Sequence, residues 1–425
     1  MTDNARLTTR VAWPFSLALA LTLPVSVIAY HGLAPLAVIL GFLVLAIEVR
    51  KGLRPRMINL RPVAPFAALL LWGGLSLAWS NDPGVSAERF PSLVGNFLVG
   101  WLVIGTAHRQ ISSEVNLRST AFAYLGGILS TLLLMLVHTL SAGAFFEALG
   151  FNKPIMDRTM ALAATNPAAT VVAIFALPGC LLLWRGIGAP VALAVLSACA
   201  VVVFLSQSLA ANIGFIVAFA VTLAVWCGGR KVLGFLTASM VMVVLLLPAL
   251  RLANDAPFSY LRVGLSSLGL NLPPSTVHRT YIYDFVLRRI ADQPLVGWGL
   301  GVSRRLPGGQ ERIPELDRAF LPLHPHNGIL EVWVELGAIG ALGLAAFIWK
   351  IMAGIMRSIN DRATAAVFSG AAASYMVIGL AAYSVWSSWW IAAGVLAAAS
   401  GTAFLAEREL TGGRGSQQIR QGIGN

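Results

Sequence analysis

Apolar runs long enough to cross a bilayer follow one another through most of this chain. They fall near 12–30, 33–49, 63–79, 91–107, 119–140, 160–184, 189–206, 210–227, 232–250, 328–349, 364–384 and 388–406. A helix needs roughly 17–25 such residues to span the hydrocarbon core, and there every backbone polar group must be satisfied within the protein. Hydrophobic residues make up 57% and charged residues only 11%. A soluble chain carries roughly 25% charged residues. The fold class that follows is an all-α polytopic membrane protein of about twelve transmembrane helices. Nine are expected within 1–250 and three within 326–406, with a long loop at 251–325 and a tail at 407–425.

The formal charge of +12 is read through the side on which it falls. With the N-terminus inside, the cytoplasmic segments hold 18 of the 30 basic residues, and the short outward loops hold only Arg89, Lys153 and Arg158. An even number of spans puts both termini in the cytoplasm. Arg6 and Arg10 precede the first run as in a signal peptide, but no small-x-small cleavage site follows, so that run is expected to be retained. The Gly-rich polar tail is expected to be disordered. Cys180, Cys199 and Cys227 lie far apart in apolar runs and read as small hydrophobes. No phosphate-cradling Gly-rich loop occurs, so neither a nucleotide nor a nucleic-acid partner is expected.

The loop 251–325 is out of scale for a connection. It holds nine arginines and no lysine, and arginine is the residue that grips phosphate through a planar fork. A basic loop lying on anionic headgroups is the alternative. Within it, 276–292 reads as an amphipathic helix. Thr280, Asp284, Arg288 and Ala291 share a polar face, with Asp284 and Arg288 at ion-pair spacing. Ile282, Val286 and Ile290 form the apolar stripe, and Arg279 falls on it. A charge there needs a partner or a ligand, which makes Arg279 a stronger site candidate than Arg288. Lys153, Arg158 and Arg89 lie on the same side, and together these cations suit a diphosphate.

The chemistry concentrates at His324-Pro325-His326-Asn327-Gly328, at the mouth of the run that follows. Pro325 forces His324 to be extended. Asn327 is an N-cap for a helix starting at Gly328. His326 then sits at a helix N-terminus, where the dipole keeps the imidazole neutral and basic. It is a candidate general base, or else an interfacial histidine that caps a loop. Glu331 and Glu335 lie one turn apart in the same helix. At that depth each costs about 2.5–3.5 kcal/mol even on lenient scales, so each needs a function or a partner. They orient a polar group or pair with a loop arginine. Gly337 and Gly340, with Ala341, read as a small-residue face for helix packing. Two histidines at i,i+2 without nearby Cys or Asp make a weak metal set, and no metal or other cofactor is expected.

These residues carry a resemblance. His326-Asn327, nine residues, then Gly337-Ala338-Ile339-Gly340 is similar to the signature of O-antigen ligases, within the O-antigen ligase/polymerase superfamily. Arg279 followed by Gln293-Pro294-Leu295-Val296-Gly297-Trp298-Gly299 resembles that family's arginine-led helix and Pro-Leu-x-Gly-x-Gly turn. About twelve spans with one long, partly helical periplasmic loop resemble its glycosyltransferase type C-like architecture. The resemblance implies a metal-independent, inverting glycosyltransferase of the bacterial inner membrane with a periplasmic active site. The donor would be an undecaprenyl-diphosphate-linked glycan and the acceptor lipid A-core. His326 would be the base and Arg279 would bind the diphosphate. The family often has an arginine after a serine near the end of a middle span, where Ser206-Gln207-Ser208-Leu209 here has leucine. Lys153, Arg158 or Arg89 would take that role. A polymerase of the same superfamily is the alternative, and a lipid-linked glycan transporter or flippase is the alternative from another class. Transporters tend to carry inverted repeats and broken helices at mid-membrane. No pair of Gly/Pro-interrupted spans stands out here.

Overall fold

A computed structural model describes residues 2–50, 64–110, 114–150, 163–270, 272–357 and 361–400. Lys153, Arg158 and the tail lie outside the described residues. A helix runs through the described part of each apolar run: Thr2–Ala29, Leu33–Arg50, Ala64–Leu75, Pro83–Gln110, Glu114–Leu140, Asn166–Gly186, Ala189–Leu205, Leu209–Leu246, Gly328–Arg357, Arg362–Gly379 and Ser388–Ser400. The runs 210–227 and 232–250 share one of these helices, Leu209–Leu246, which breaks at Gly229 (φ 57°, ψ −137°). By length and composition, five segments among the described residues can cross a membrane: Trp13–Ile47, Leu117–Leu140, Asn166–Gly186, Leu209–Ala253 and Gly328–Arg357. The chain is a mostly helical, polytopic membrane protein.

Large apolar side chains stand exposed along these helices, among them Phe42, Leu71, Leu133, Leu205 and Phe235. In water such a surface would drive aggregation, whereas against lipid it is the ordinary outer face. Small residues line the inner contacts. A Cβ on Gly127 would sit 2.3 Å from the Ala20 carbonyl, and one on Gly370 would sit 2.4 Å from that of Ala218.

The segment 251–325 holds more structure than one helix. It contains Leu250–Ala253, Pro257–Ser267, Pro274–Asp292 and a small antiparallel ladder pairing Arg312 with Ala319 and Ile313 with Arg318. The last of these helices, called here the loop helix, starts with Pro274, whose fixed φ suits a first helical position. Its two faces are not solvent against core. Thr280 and Asp284, expected on a polar face, are buried along with Ile282, Phe285, Val286, Leu287 and Ile290. Asp284 forms no hydrogen-bonded pair with Arg288. Its carboxylate accepts the backbone N–H groups of Phe258 (3.0 Å) and Ser259 (2.8 Å) and so closes the start of the neighbouring helix. A buried acceptor goes to unsatisfied helix-end donors, which an exposed ion pair cannot outcompete.

Candidate functional site

The site is built around the start of Gly328–Arg357, called here the motif helix. Asn327 Oδ1 accepts the N–H groups of Ile329 and Leu330, both at 3.1 Å. The chain arrives in a tight turn: His326 has φ 55°, a left-handed conformation for a residue with a Cβ. His324 Nδ1 accepts the His326 backbone N–H at 3.1 Å and holds that turn. The two rings lie 4.2 Å apart.

His326 Nδ1 lies 2.9 Å from the Ala382 carbonyl. A carbonyl only accepts, so Nδ1 carries the proton and Nε2 keeps the free lone pair. Burial holds the His326 pKa below its ordinary range; the Ala382 bond opposes this and Arg279 reinforces it. Burial pushes His324 down to about 3, helped by repulsion from any proton taken up on His326 and by the charges of Arg304, Arg279 and Arg89. Both rings are therefore neutral at pH 7, and His326 presents a basic nitrogen.

Arg279 reaches this turn from the loop helix. Tyr283, one turn further along, donates its hydroxyl to the His326 carbonyl at 3.3 Å. Residues four apart share a helix face, so Arg279 is brought alongside. It is half-buried, and among the described residues it makes no hydrogen bond or ion pair. Arg89 also joins the turn: its side-chain carbons pack where a Cβ on Gly301 would sit, and its charge acts on His324 and Glu331. Arg304 acts on His324 too and donates to the Leu323 carbonyl. Arg288 lies elsewhere, among Arg251, Arg289, Asp255 and Asp284. Nine residues at 100° each put it on the opposite side of the helix from Arg279.

Among the described residues, neither buried glutamate pairs with an arginine by hydrogen bond or ion pair. Glu331 accepts the Ser384 hydroxyl and the Val385 N–H, each at 2.7 Å. Glu335 accepts four bonds: Gly301 N–H (2.6 Å), Ser303 N–H (3.2 Å), Ser303 hydroxyl (2.6 Å) and Trp386 Nε1–H (2.7 Å). Together they lash the turn at 380–387 and the strap at 294–303 to one helix. Ala382, which orients His326, belongs to the first of these.

Gly337 does not serve the close helix packing expected for it. It breaks the motif helix with φ 65° and ψ −163°. The break leaves carbonyls and N–H groups without helical partners, and the segment 294–299 takes them up. Trp298 and Gly299 donate to the carbonyls of Val334 (2.9 Å) and Glu335 (2.8 Å), and Ala338 donates to that of Pro294 (2.9 Å). Trp72 Nε1 covers the Leu336 carbonyl at 2.9 Å. A Cβ on Gly337 would come 2.3 Å from the Leu295 carbonyl, and one on Gly297 would come 2.4 Å from that of Glu335. Gly340 lies in the resumed helix, where a Cβ would meet Leu336 at 2.3 Å.

Residues 192–345 match the O-antigen ligase family. That stretch, a little over a third of the chain, is similar to the O-antigen ligase superfamily. The matched region runs from the helix Ala189–Leu205 past the Gly337 break, so it takes in the loop helix, the strap and the histidine turn. Three curated relatives, provisionally named polysaccharide ligases, come from Rickettsia. That of Rickettsia conorii is 32% identical over 134 residues, 31% of this chain and 32% of its own. That of Rickettsia felis is 34% identical over 134 residues, 31% and 33%. That of Rickettsia prowazekii is 28% identical over 194 residues, 45% and 46%. The matches span from just under a third to just under half of these relatives' length.

Several contributors to the site are not singled out by sequence: Tyr283, Arg304 and the turn from Ala382 to Trp386. That turn, Ala382-Tyr383-Ser384-Val385-Trp386, is largely apolar and mostly overlaps the end of the run 364–384, so hydropathy gives no sign of it. At the position lacking the family arginine, Ser208 Oγ accepts the Ala211 N–H and caps the helix Leu209–Leu246.

Proposed function

We propose that this protein is a membrane-embedded polysaccharide ligase that transfers a glycan from undecaprenyl diphosphate to a hydroxyl of lipid A-core at the periplasmic face of the inner membrane. The observation that carries this reading is the pairing of a neutral His326, its Nε2 free, with an unpartnered Arg279 beside it. His326 Nε2 takes the proton of the acceptor hydroxyl. The oxygen bonds to the anomeric carbon of the donor sugar as the bond from that carbon to the diphosphate breaks. Attack opposite the leaving group inverts the centre. The electron pair leaves on the diphosphate, where Arg279, with Arg89 and Arg304 nearby, offsets the growing charge. The donor arrives already activated, so no step is routed through a metal or nucleotide. Lys153 and Arg158 are further candidate contacts to the diphosphate.

The test is glycan ligation onto lipid A-core in cells carrying His326→Ala or Arg279→Ala, with each variant's membrane level measured alongside. A positioned base contributes about 10²–10⁴-fold, so ligation by His326→Ala is expected to fall by that range. Wild-type ligation by both variants at normal membrane levels would refute the proposal. The lipopolysaccharide banding of cells lacking the protein separates the polymerase alternative. Core without any ladder marks a ligase, whereas core bearing one repeat marks a polymerase.

A further inference from the structure

The helix Pro257–Ser267 is built inside out for a surface that faces water. Wound at 100° per residue, Tyr260, Leu261, Val263 and Leu268 share its outer side with Gly264 and Ser267, and no charge lies among them. Tyr260 is 72% exposed, Leu261 57%, Val263 60% and Leu268 76%. The cation of this helix, Arg262, points the other way. Its guanidinium lies 4.6 Å from the centre of the Tyr281 ring and donates to the Tyr281 hydroxyl at 3.0 Å. Phe258 is also turned inward, edge-on to Tyr283 at 5.0 Å. A water-facing helix carries charge outward and apolar groups inward. This one does the reverse.

Its position names the occupant. The apolar segment Leu209–Ala253 ends four residues before Pro257, so the helix starts where that span leaves the hydrocarbon. Leu252, on the last turn of the span, is 91% exposed. An eleven-residue helix offers a face roughly 16 Å long and about 10 Å wide. That is small against the roughly 800 Å² per partner of a stable protein interface. Lipid needs no minimum patch.

We propose that Pro257–Ser267 is an in-plane helix at the outer surface of the membrane, with Tyr260, Leu261, Val263 and Leu268 seated in lipid. The Asp284 cap and the Arg262–Tyr281 and Phe258–Tyr283 contacts join it to the loop helix. The lipid surface therefore sets the height at which that helix holds Arg279. The docking does not depend on the reaction proposed above.

The experiment uses the full chain in nanodiscs, with Cys180, Cys199 and Cys227 replaced by alanine. Single cysteines are introduced as Leu261→Cys, Leu268→Cys and Glu315→Cys and labelled with bimane. Glu315, exposed beside the charged ladder of the segment 251–325, supplies the water-facing baseline. Brominated phosphatidylcholine is expected to quench most of the fluorescence at 261 and 268 and little at 315. Quenching at 261 and 268 no greater than at 315 would overturn the proposal. Efficient cross-linking between copies through Leu261→Cys would overturn it too, in favour of a second chain on this face. The readout is fluorescence, so a chain inactive in glycan transfer gives the same answer.

Discussion

At the scale of single residues, the site turns on one imidazole held in a costly conformation. His326 sits at φ 55°, and a residue strained in this way costs on the order of 1–3 kcal/mol unless its surroundings compensate. His324, Ala382 and Tyr283 are those surroundings. In the proposed reaction the neutral imidazole is the active form, and burial holds its pKa below the usual histidine range. The rate of ligation is therefore expected to be flat around neutral pH and to fall only in acid. Arg279 helps to lower that pKa, so Arg279→Gln should move the acid limb toward higher pH as well as slowing the reaction. A pH profile of ligation in isolated membranes, with the limb unmoved, would count against the pairing. His324 gives a second pH effect. Its folded pKa is near 3 and its unfolded value about 6.5. Between these the unfolded chain binds the extra proton, so its contribution to stability is complete above about 6.5 and is lost as the pH falls through that window. The acid loss of thermal stability in detergent should shrink in His324→Asn.

At the scale of elements, the motif helix is a scaffold in two pieces, and the strap at 294–303 is the joint. Glu335 holds that joint through Gly301, Ser303 and Trp386. Glu335→Ala leaves buried donors without partners, each costing about 1–3 kcal/mol, so a clear drop in melting temperature is expected. Gly337→Ala meets both an unfavourable φ and the Leu295 carbonyl. It is expected to destabilise the protein by about 1–3 kcal/mol and to reduce ligation without touching substrate. A melting curve matching the wild type for either variant would show that the joint bears no load. Much of this region was legible from sequence because its signals are local: Asn327 before Gly328 for the cap, and hydropathy for the helix after it. The break at Gly337 was not. A glycine followed by Ala338 and Gly340 reads equally as packing or as a break, and the partners that decide lie some forty residues away at Pro294–Gly299. The helix Pro257–Ser267 was missed for a related reason. Its inward arginine and outward leucines defeat a periodicity read against water, and its cap, Asp284, lies well downstream. Asp284 itself looked like an exposed partner for Arg288 because spacing along one helix says nothing of a second helix packed on it.

At the scale of the whole molecule, the position of the site relative to the two sides of the membrane rests on where the chain turns. Gly214 packs against Ile378, and Thr222 donates to the Ala366 carbonyl, so the first half of Leu209–Leu246 runs antiparallel to Arg362–Gly379. Past Gly229 the direction reverses. Trp333, near the start of the motif helix, donates to the Val244 carbonyl at 2.7 Å, and Gly328 packs on the Gly379 carbonyl. Residues 214, 244, 328 and 379 therefore share one end of the bundle, with 229 at the other. The 45-residue apolar segment Leu209–Ala253 would be roughly 68 Å long if straight, about twice a hydrocarbon core, and folding back at Gly229 makes it two crossings. The same reversal carries Arg230 and Lys231 away from the histidine turn, the arrangement expected if they are cytoplasmic. In a chain lacking Cys180, Cys199 and Cys227, a membrane-impermeant thiol reagent applied to spheroplasts should label Glu315→Cys and leave Arg230→Cys untouched. Permeabilised cells should label both. Labelling of Arg230→Cys in sealed spheroplasts would put both ends of the hairpin on one side. His326 would then lose its periplasmic assignment, and with it access to a donor presented on the outer leaflet.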